Sequence, residues 1–127
     1  MLAGRLVLIA DDSEDNRDMY KEFLEFSGFE VLTAFDGLEA LRVAADRVPD
    51  LIVLDMGMPH MNGWKTARHL RAEQATRTTP IIAVTGHVLT VTEATVKAAG
   101  CDVYLMKPLL PERLAEEVHR LLRQTDN

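Results

Sequence analysis

The chain alternates short stretches rich in apolar residues with longer amphipathic ones. Residues 51–54 and 81–84 are wholly apolar, as is typical of strands that are buried on both faces of a sheet. Three less uniform apolar stretches of similar length, bounded by turn residues, are also typical of strands. The pattern predicts five strands, at residues 5–10, 29–33, 51–55, 81–84 and 102–106.

Each predicted strand is followed by a predicted helix. Ser13 and Asp36 are expected to cap the first two helices, which Gly28 and Pro49 should end. The fourth helix, residues 90–99, is rich in β-branched residues, so we expect it to be the least stable of the five. The expected buried faces are Met19, Tyr20, Phe23 and Leu24; Leu38, Leu41, Ala45 and Val48; Trp64, Ala67 and Leu70; and Leu114, Val118, Leu121 and Leu122.

Strands that alternate with helices form βαβ units around a parallel sheet, and right-handed crossovers place helices on both faces of it. The predicted fold class is therefore α/β, a doubly wound five-stranded parallel sheet of (βα)5 type. A length of 127 residues suits one domain with a sizeable core. We expect residues 1–127 to form that single domain, with no output domain.

Composition and charge narrow the range of partners. The chain is 47% hydrophobic and 27% charged, with a net charge of −6, which fits a soluble globular protein and disfavours a nucleic-acid backbone as partner. No stretch approaches the ~18 apolar residues of a membrane span. The lone Cys101 excludes an internal disulfide. We therefore expect a cytoplasmic protein that binds neither nucleic acid nor membranes.

Polar residues stand at the ends of four predicted strands. Asp11 and Asp12 follow the first, Asp55 ends the third, Thr85 follows the fourth and Lys107 follows the fifth. Parallel strands bring these ends to one edge of the sheet, where open α/β sheets bind their ligands. Two carboxylates about 4 Å apart repel by about 4 kcal/mol at an effective dielectric constant of about 20. A cation is therefore expected among them, and hard oxygen ligands suit Mg²⁺ or Mn²⁺.

A carboxylate beside a divalent cation is a candidate nucleophile for phosphoryl transfer, since aspartyl phosphates are known covalent intermediates. The transferred group carries negative charge on three oxygens, which the metal, Lys107 and the Thr85 hydroxyl are suited to neutralise. Neither GxxxxGK[ST] nor GxGxxG occurs in the chain. The phosphoryl donor is therefore not expected to be a bound nucleotide.

These residues resemble the receiver domain of two-component response regulators, over essentially the whole chain. The resemblance implies a flavodoxin-like sheet of strand order 2-1-3-4-5. It implies that Asp55 accepts a phosphoryl group from a partner's phosphohistidine. It also implies that Asp12, Asp55 and the Gly57 carbonyl hold the metal directly and Asp11 holds it through water.

The same resemblance implies a switch. Thr85 would move towards the phosphoryl group with Tyr104, Lys107 would pair with that group, and the Lys107–Pro108 bond would be cis. Phosphorylation would then alter the face made by helix four, strand five and helix five, where a downstream protein binds. Gly57 and His87 occupy the family's positions that tune the lifetime of the phosphoryl group, and we expect that lifetime to be unusual.

The resemblance also implies partners and a type of activity. The expected donor is a histidine kinase or a histidine phosphotransfer protein, and the chain itself is either a stand-alone module or the receiver of a hybrid kinase. It would be no enzyme beyond the phosphorylation and dephosphorylation of its own Asp55. We expect a monomer or a weak homodimer.

Two alternatives remain open at this point. One is a small Mg²⁺-dependent phosphohydrolase with an aspartate nucleophile, although such enzymes usually place the nucleophile after the first strand and need a substrate cap. The other is a binding module that acts without phosphorylation, although the full set of acidic, hydroxyl and amine residues argues against it.

Overall fold

The structure is a computed structural model that describes residues 4–58, 61–86 and 93–125. Five parallel strands form one sheet in the order β2-β1-β3-β4-β5, which confirms the predicted topology. In the described residues the elements are β1 (Leu6–Ala10), α1 (Glu14–Phe26), β2 (Glu30–Ala34), α2 (Gly37–Arg47), β3 (Leu51–Asp55), α3 (Gly63–Ala72), β4 (Ile81–Thr85), α4 (Glu93–Ala98), β5 (Val103–Met106) and α5 (Pro111–Thr125), with a short 3₁₀ turn at Gln74–Thr76.

Two apolar clusters cover the two faces of the sheet. One joins the sheet to α1 and α5 through residues such as Leu24 and Leu114. The other joins the opposite face to α2, α3 and α4 through residues such as Leu70 and Val96. Because both faces are covered, every residue of β3 and β4 is buried. The polar residues at the ends of these strands therefore stand on fully buried strands.

The boundary between α1 and β2 differs slightly from the prediction. Gly28 ends the helix in a left-handed conformation with φ of +101°, as expected of a glycine after a helix C-cap. The N–H of Phe29 then donates to the Leu24 carbonyl, and the sheet ladder begins only at Glu30, whose N–H donates to Arg5. Strand β2 therefore begins one residue later than predicted, because the N–H of Phe29 is bonded to the end of α1 and not to the sheet.

The predicted buried face of α2 is wrong except at Leu41, which packs against the second of the two apolar clusters. Leu38 and Val48 are about half exposed and Ala45 is exposed. The helix instead buries its smallest residues, which are Gly37, Ala40 and Ala44. A Cβ on Gly37 would lie 2.6 Å from the Met61 carbonyl oxygen. Backbones this close require small side chains, so the contact face of α2 is not its most hydrophobic one.

Most other predicted faces are confirmed. In α1, Tyr20 and Leu24 are buried and Phe23 packs on the same cluster, but Met19 is 39% exposed. The predicted stripes of α3 and α5 face the core. Cys101 is buried, and burial raises the pKa of its thiol to about 12, as suits a residue that serves as a small hydrophobe.

The structure tests only part of the prediction for the fourth helix, because it describes only part of that helix. Its described portion covers Glu93–Ala98 and buries Val96 against the sheet. The predicted first turn, residues 90–92, lies outside the described residues, so the expected low stability of this helix stays a prediction.

Candidate functional site

Three carboxylates meet at the carboxyl edge of the sheet, as predicted. Asp11 and Asp12 follow β1, and Asp55 ends the neighbouring strand β3. One oxygen of each carboxylate lies within 4.8 Å of the others. Asp11 and Asp55 are buried, at 3% and 5% exposure, whereas Asp12 is exposed. This group of oxygen ligands, open to solvent on one side, has the chemistry of a site for a hard divalent cation.

The Lys107 ammonium group lies between the two buried carboxylates. Its Nζ is 3.3 Å from Asp55 Oδ2 and 3.6 Å from Asp11 Oδ2. Burial alone would lower the pKa of Lys107, but the charges of Asp55 and Asp11 act in the opposite direction and prevail, so this pKa is raised. Lys107 therefore carries a positive charge beside the acidic group, which is the cluster of Asp11, Asp12 and Asp55.

Helix α1 holds Asp11 in place. The Ser13 N–H donates to Asp11 Oδ1 at 2.8 Å, and the Asn16 amide lies 3.5 Å from Oδ2. The Arg17 guanidinium donates to the main-chain carbonyl of Asp11 at 2.7 Å. Ser13 also caps the helix, as predicted, by accepting from the Asn16 N–H. The start of α1 thus orients one of the candidate metal ligands.

The turn after β3 holds Asp55. The Gly57 N–H donates to Asp55 Oδ1 at 3.0 Å, while Oδ2 accepts from Lys107. Gly63, at the start of α3, closes tightly on this turn: a Cβ there would lie 2.6 Å from Met56 Cα and 2.7 Å from the Asp55 carbonyl oxygen. Asn62 caps α3 by accepting from the Lys65 N–H. The sequence pattern predicted neither the close approach of Gly63 nor this cap.

The proposed switch residues lie on β4 and β5. Thr85 is buried at the end of β4, and its carbonyl accepts from the Lys107 N–H at 2.8 Å. Tyr104 is half-buried in β5 and packs on the cluster that includes α4. The Lys107–Pro108 bond is cis, which confirms that expectation. His87 lies outside the described residues.

One polar residue near the acidic group makes a hydrogen bond that the sequence did not predict. The Tyr20 hydroxyl, on α1, donates to the main-chain carbonyl of Leu109 at 3.2 Å. Burial, followed by the nearby charge of Asp11, raises the pKa of Tyr20, so its hydroxyl keeps the proton that it donates. The hydrophobic pattern correctly places this ring in the core, but it does not show where the hydroxyl is directed.

We expect Mg²⁺ to raise the melting temperature of the protein through the acidic group. At 100 times its dissociation constant, a ligand of the folded state adds about 2.7 kcal/mol to the free energy of unfolding, or a shift of several degrees for a domain of this size. Asp12→Asn should lose most of this shift. Thermal unfolding with and without Mg²⁺ measures it.

The matched control is Asp46→Asn, which removes an exposed carboxylate near the end of α2, away from the carboxyl edge of the sheet. It should keep the full Mg²⁺ shift. An equal shift in Asp12→Asn and Asp46→Asn would contradict a metal site at the acidic group.

Comparisons with known proteins agree with the fold. The family model described as the response regulator receiver domain matches residues 7–119. The polar-differentiation response regulator DivK of Brucella ovis is 33% identical over 116 residues, which cover 91% of this chain and 94% of DivK.

Solved structures show the same likeness. The chemotaxis protein CheY4 of Vibrio cholerae superposes with a TM-score of 0.87 at 36% identity, covering 93% of this chain and 98% of that one. A CheY-like receiver domain protein of Methanospirillum hungatei gives a TM-score of 0.90 at 28% identity, with 98% of both chains covered.

Among the described residues, no helix has the length and apolar character needed to cross a membrane. The family match covers most of the chain, including the strand ends that carry Asp11, Asp55, Thr85 and Lys107. Taken with the sheet order and the relatives, it shows that the chain belongs to the receiver domains of two-component response regulators, a family of phosphoacceptor signalling modules.

Proposed function

We propose that Asp55 is the residue that accepts the phosphoryl group, and that a phosphohistidine of a histidine kinase or of a histidine phosphotransfer protein donates it. The observation that supports this most is the setting of the Asp55 carboxylate. It is buried at the end of β3, bonded to the Gly57 N–H and to Lys107, and grouped with Asp11 and Asp12. Lys107 Nζ lies nearer to Asp55, at 3.3 Å, than to Asp11, at 3.6 Å, which favours Asp55 as the nucleophile.

In the proposed transfer, a carboxylate oxygen of Asp55 forms a bond to phosphorus while the bond between phosphorus and the histidine nitrogen breaks. The electron pair of the broken bond stays on the imidazole. The product is an acyl phosphate, with negative charge on the three transferred oxygens. Lys107 lies within ion-pair distance of Asp55 and supplies a positive charge for these oxygens, and the Thr85 hydroxyl supplies a hydrogen-bond donor.

Asp11, Asp12 and Asp55, with the Gly57 carbonyl, are the residues that would hold the metal. Three carboxylates with oxygens within 4.8 Å suit Mg²⁺ or Mn²⁺ by the chemistry of the donor set. A bound divalent cation would offset the repulsion among the carboxylates and the incoming phosphoryl group.

The proposed output is a change at the face of α4, β5 and α5. Tyr104 lines a surface cleft there with Val96, Lys97 and Arg120, and the Lys107 main chain bonds to Thr85. A phosphoryl group that attracts Thr85 and Lys107 would thus act on residues linked to this face. Receiver domains interact with histidine kinases and downstream targets, and we propose that a downstream protein binds here, in the cytoplasm. Gly57 and His87 would tune the lifetime of the phosphoryl group.

The test is phosphorylation of the whole chain by acetyl phosphate, followed as the mass increase of one phosphoryl group. We expect labelling in Mg²⁺, none after chelation of the metal, and none in Asp55→Asn. Asp46→Asn, which removes an exposed carboxylate away from the site, should be labelled like the unchanged protein. Absence of labelling in the unchanged protein, or undiminished labelling of Asp55→Asn, would refute the proposal.

A further inference from the structure

The Tyr20 hydroxyl is a buried polar group that the proposed transfer does not use. Tyr20 is 3% exposed and its ring belongs to the apolar cluster between the sheet, α1 and α5. A phenylalanine ring would suit this apolar environment equally well. The hydroxyl instead donates to the Leu109 carbonyl, 89 residues away in the chain. Packing therefore accounts for the ring but not for the hydroxyl.

Leu109 ends a short segment that begins at Lys107. At its beginning, the Lys107 N–H donates to the Thr85 carbonyl in β4. At its end, the Leu109 carbonyl accepts from Tyr20 in α1, and the Leu109 side chain lies in the same apolar cluster. The main chain that carries the Lys107 amine is thus anchored on both sides, once on the sheet and once on α1.

Helix α1 also holds the other partner of Lys107. Asn16 and Arg17 contact Asp11, whose Oδ2 lies 3.6 Å from Lys107 Nζ. Asn16 and Tyr20 are four residues apart, so they lie on the same side of the helix. One helix therefore contacts both Asp11 and the Lys107 segment, which fixes their relative position.

We propose that Tyr20 is a positioning residue for phosphoryl transfer, whose hydrogen bond to Leu109 keeps the Lys107 amine at its place beside Asp55. This inference rests on the proposed function of Asp55. Catalytic groups are sensitive to displacements of about 1 Å. The Tyr20→Phe substitution removes one of the two hydrogen bonds at the ends of this segment and leaves the Leu109 carbonyl without its donor, so Lys107 is held less firmly.

The test measures the rate of Asp55 phosphorylation by acetyl phosphate at saturating Mg²⁺, using the whole chain. We expect Tyr20→Phe to be about fivefold slower than the unchanged protein. The matched control is Thr76→Val, which removes another buried hydroxyl that donates to a main-chain carbonyl, that of Leu70. Thr76 precedes β4 at the opposite edge of the sheet, so this variant should stay within about twofold of the unchanged rate.

A second variant separates positioning from a general loosening of the fold. Replacing Tyr20 with 4-aminophenylalanine restores an N–H donor on the same ring. We expect this variant to recover most of the lost rate. The ¹³C resonance of the Leu109 carbonyl should shift in Tyr20→Phe and return towards its original position in the amino variant.

Three outcomes would overturn the inference. An unchanged rate in Tyr20→Phe would show that the hydrogen bond does not serve the transfer, and the proposed function of Asp55 would stand. An amino variant as slow as Tyr20→Phe would show that the donor is not what matters. If the unchanged protein is not labelled at all, the proposed function fails and this inference fails with it.

Discussion

Lys107→Met is expected to slow phosphorylation of Asp55 by about a hundredfold, the scale of losing one charged donor to a developing anion. Lys107 Nζ is 3.3 Å from Asp55 Oδ2, so it is the nearest positive side chain that the described structure offers to the acceptor. Methionine keeps a similar length and apolar stem. The substitution therefore removes the charge and its hydrogen bond to Asp55 with little loss of packing.

The same substitution is expected to strengthen Mg²⁺ binding. Lys107 contacts both Asp11 and Asp55, which are two of the candidate metal ligands. A positive charge about 4 Å from a second cation repels it by about 4 kcal/mol per unit charge at an effective dielectric constant of about 20. Removing the ammonium group lifts that repulsion, so the rate of transfer and the affinity for metal should change in opposite directions.

Phosphorylation by acetyl phosphate at saturating Mg²⁺ measures the first effect, and a Mg²⁺ titration of the melting temperature measures the second. Lys21→Met is the matched control, because Lys21 is exposed on α1 and pairs with Glu25 only within that helix. It should change neither quantity. A Lys107→Met rate within about threefold of the unchanged protein would contradict the role of Lys107, since removing a donor of this kind costs about a hundredfold or more.

The place of the site follows from the chain order alone. The apolar runs identify the inner strands, and parallel strands bring the residues after each run to one edge. The structure confirms that Asp11, Asp55 and Lys107 lie within ion-pair distance at this edge. This inference needs no knowledge of side-chain packing, which is why a sequence is enough for it.

Close approaches between main chains leave little trace in a hydrophobic pattern. The apolar pattern of α2 predicted the wrong face apart from Leu41, since contact with α3 and the sheet selects small residues such as Gly37 and Ala44. The close approach of Gly63 to the end of β3 was not predicted either, because a glycine in a predicted loop is compatible with many local structures. The Tyr20 hydroxyl donates to a carbonyl that is 89 residues away in the chain. A local hydrophobic pattern carries no information about so distant a partner.

Gly63→Ala is expected to lower the free energy of unfolding by about 2 kcal/mol, within the usual range for overpacking. It should also slow phosphorylation of Asp55 several-fold. The added Cβ would lie 2.6 Å from Met56 Cα and 2.7 Å from the Asp55 carbonyl oxygen. The Met56 side chain can rotate away, but these two main-chain atoms belong to the end of β3 and the turn that orients Asp55. Relief of the contact therefore has to move the acceptor or α3.

Urea unfolding and the acetyl phosphate assay measure the two effects of Gly63→Ala, and Gly57→Ala is its control for stability. A Cβ on Gly57 would lie 3.7 Å from Asp55 Oδ1, an ordinary contact, and neither glycine has a positive φ. Gly57→Ala should change stability by less than about 0.5 kcal/mol. Since backbone conformation is not strained at either position, equal stability losses in the two variants would contradict the steric argument. A large loss confined to Gly63→Ala, with slower phosphorylation, would show that the packing of α3 against Met56 sets the position of Asp55.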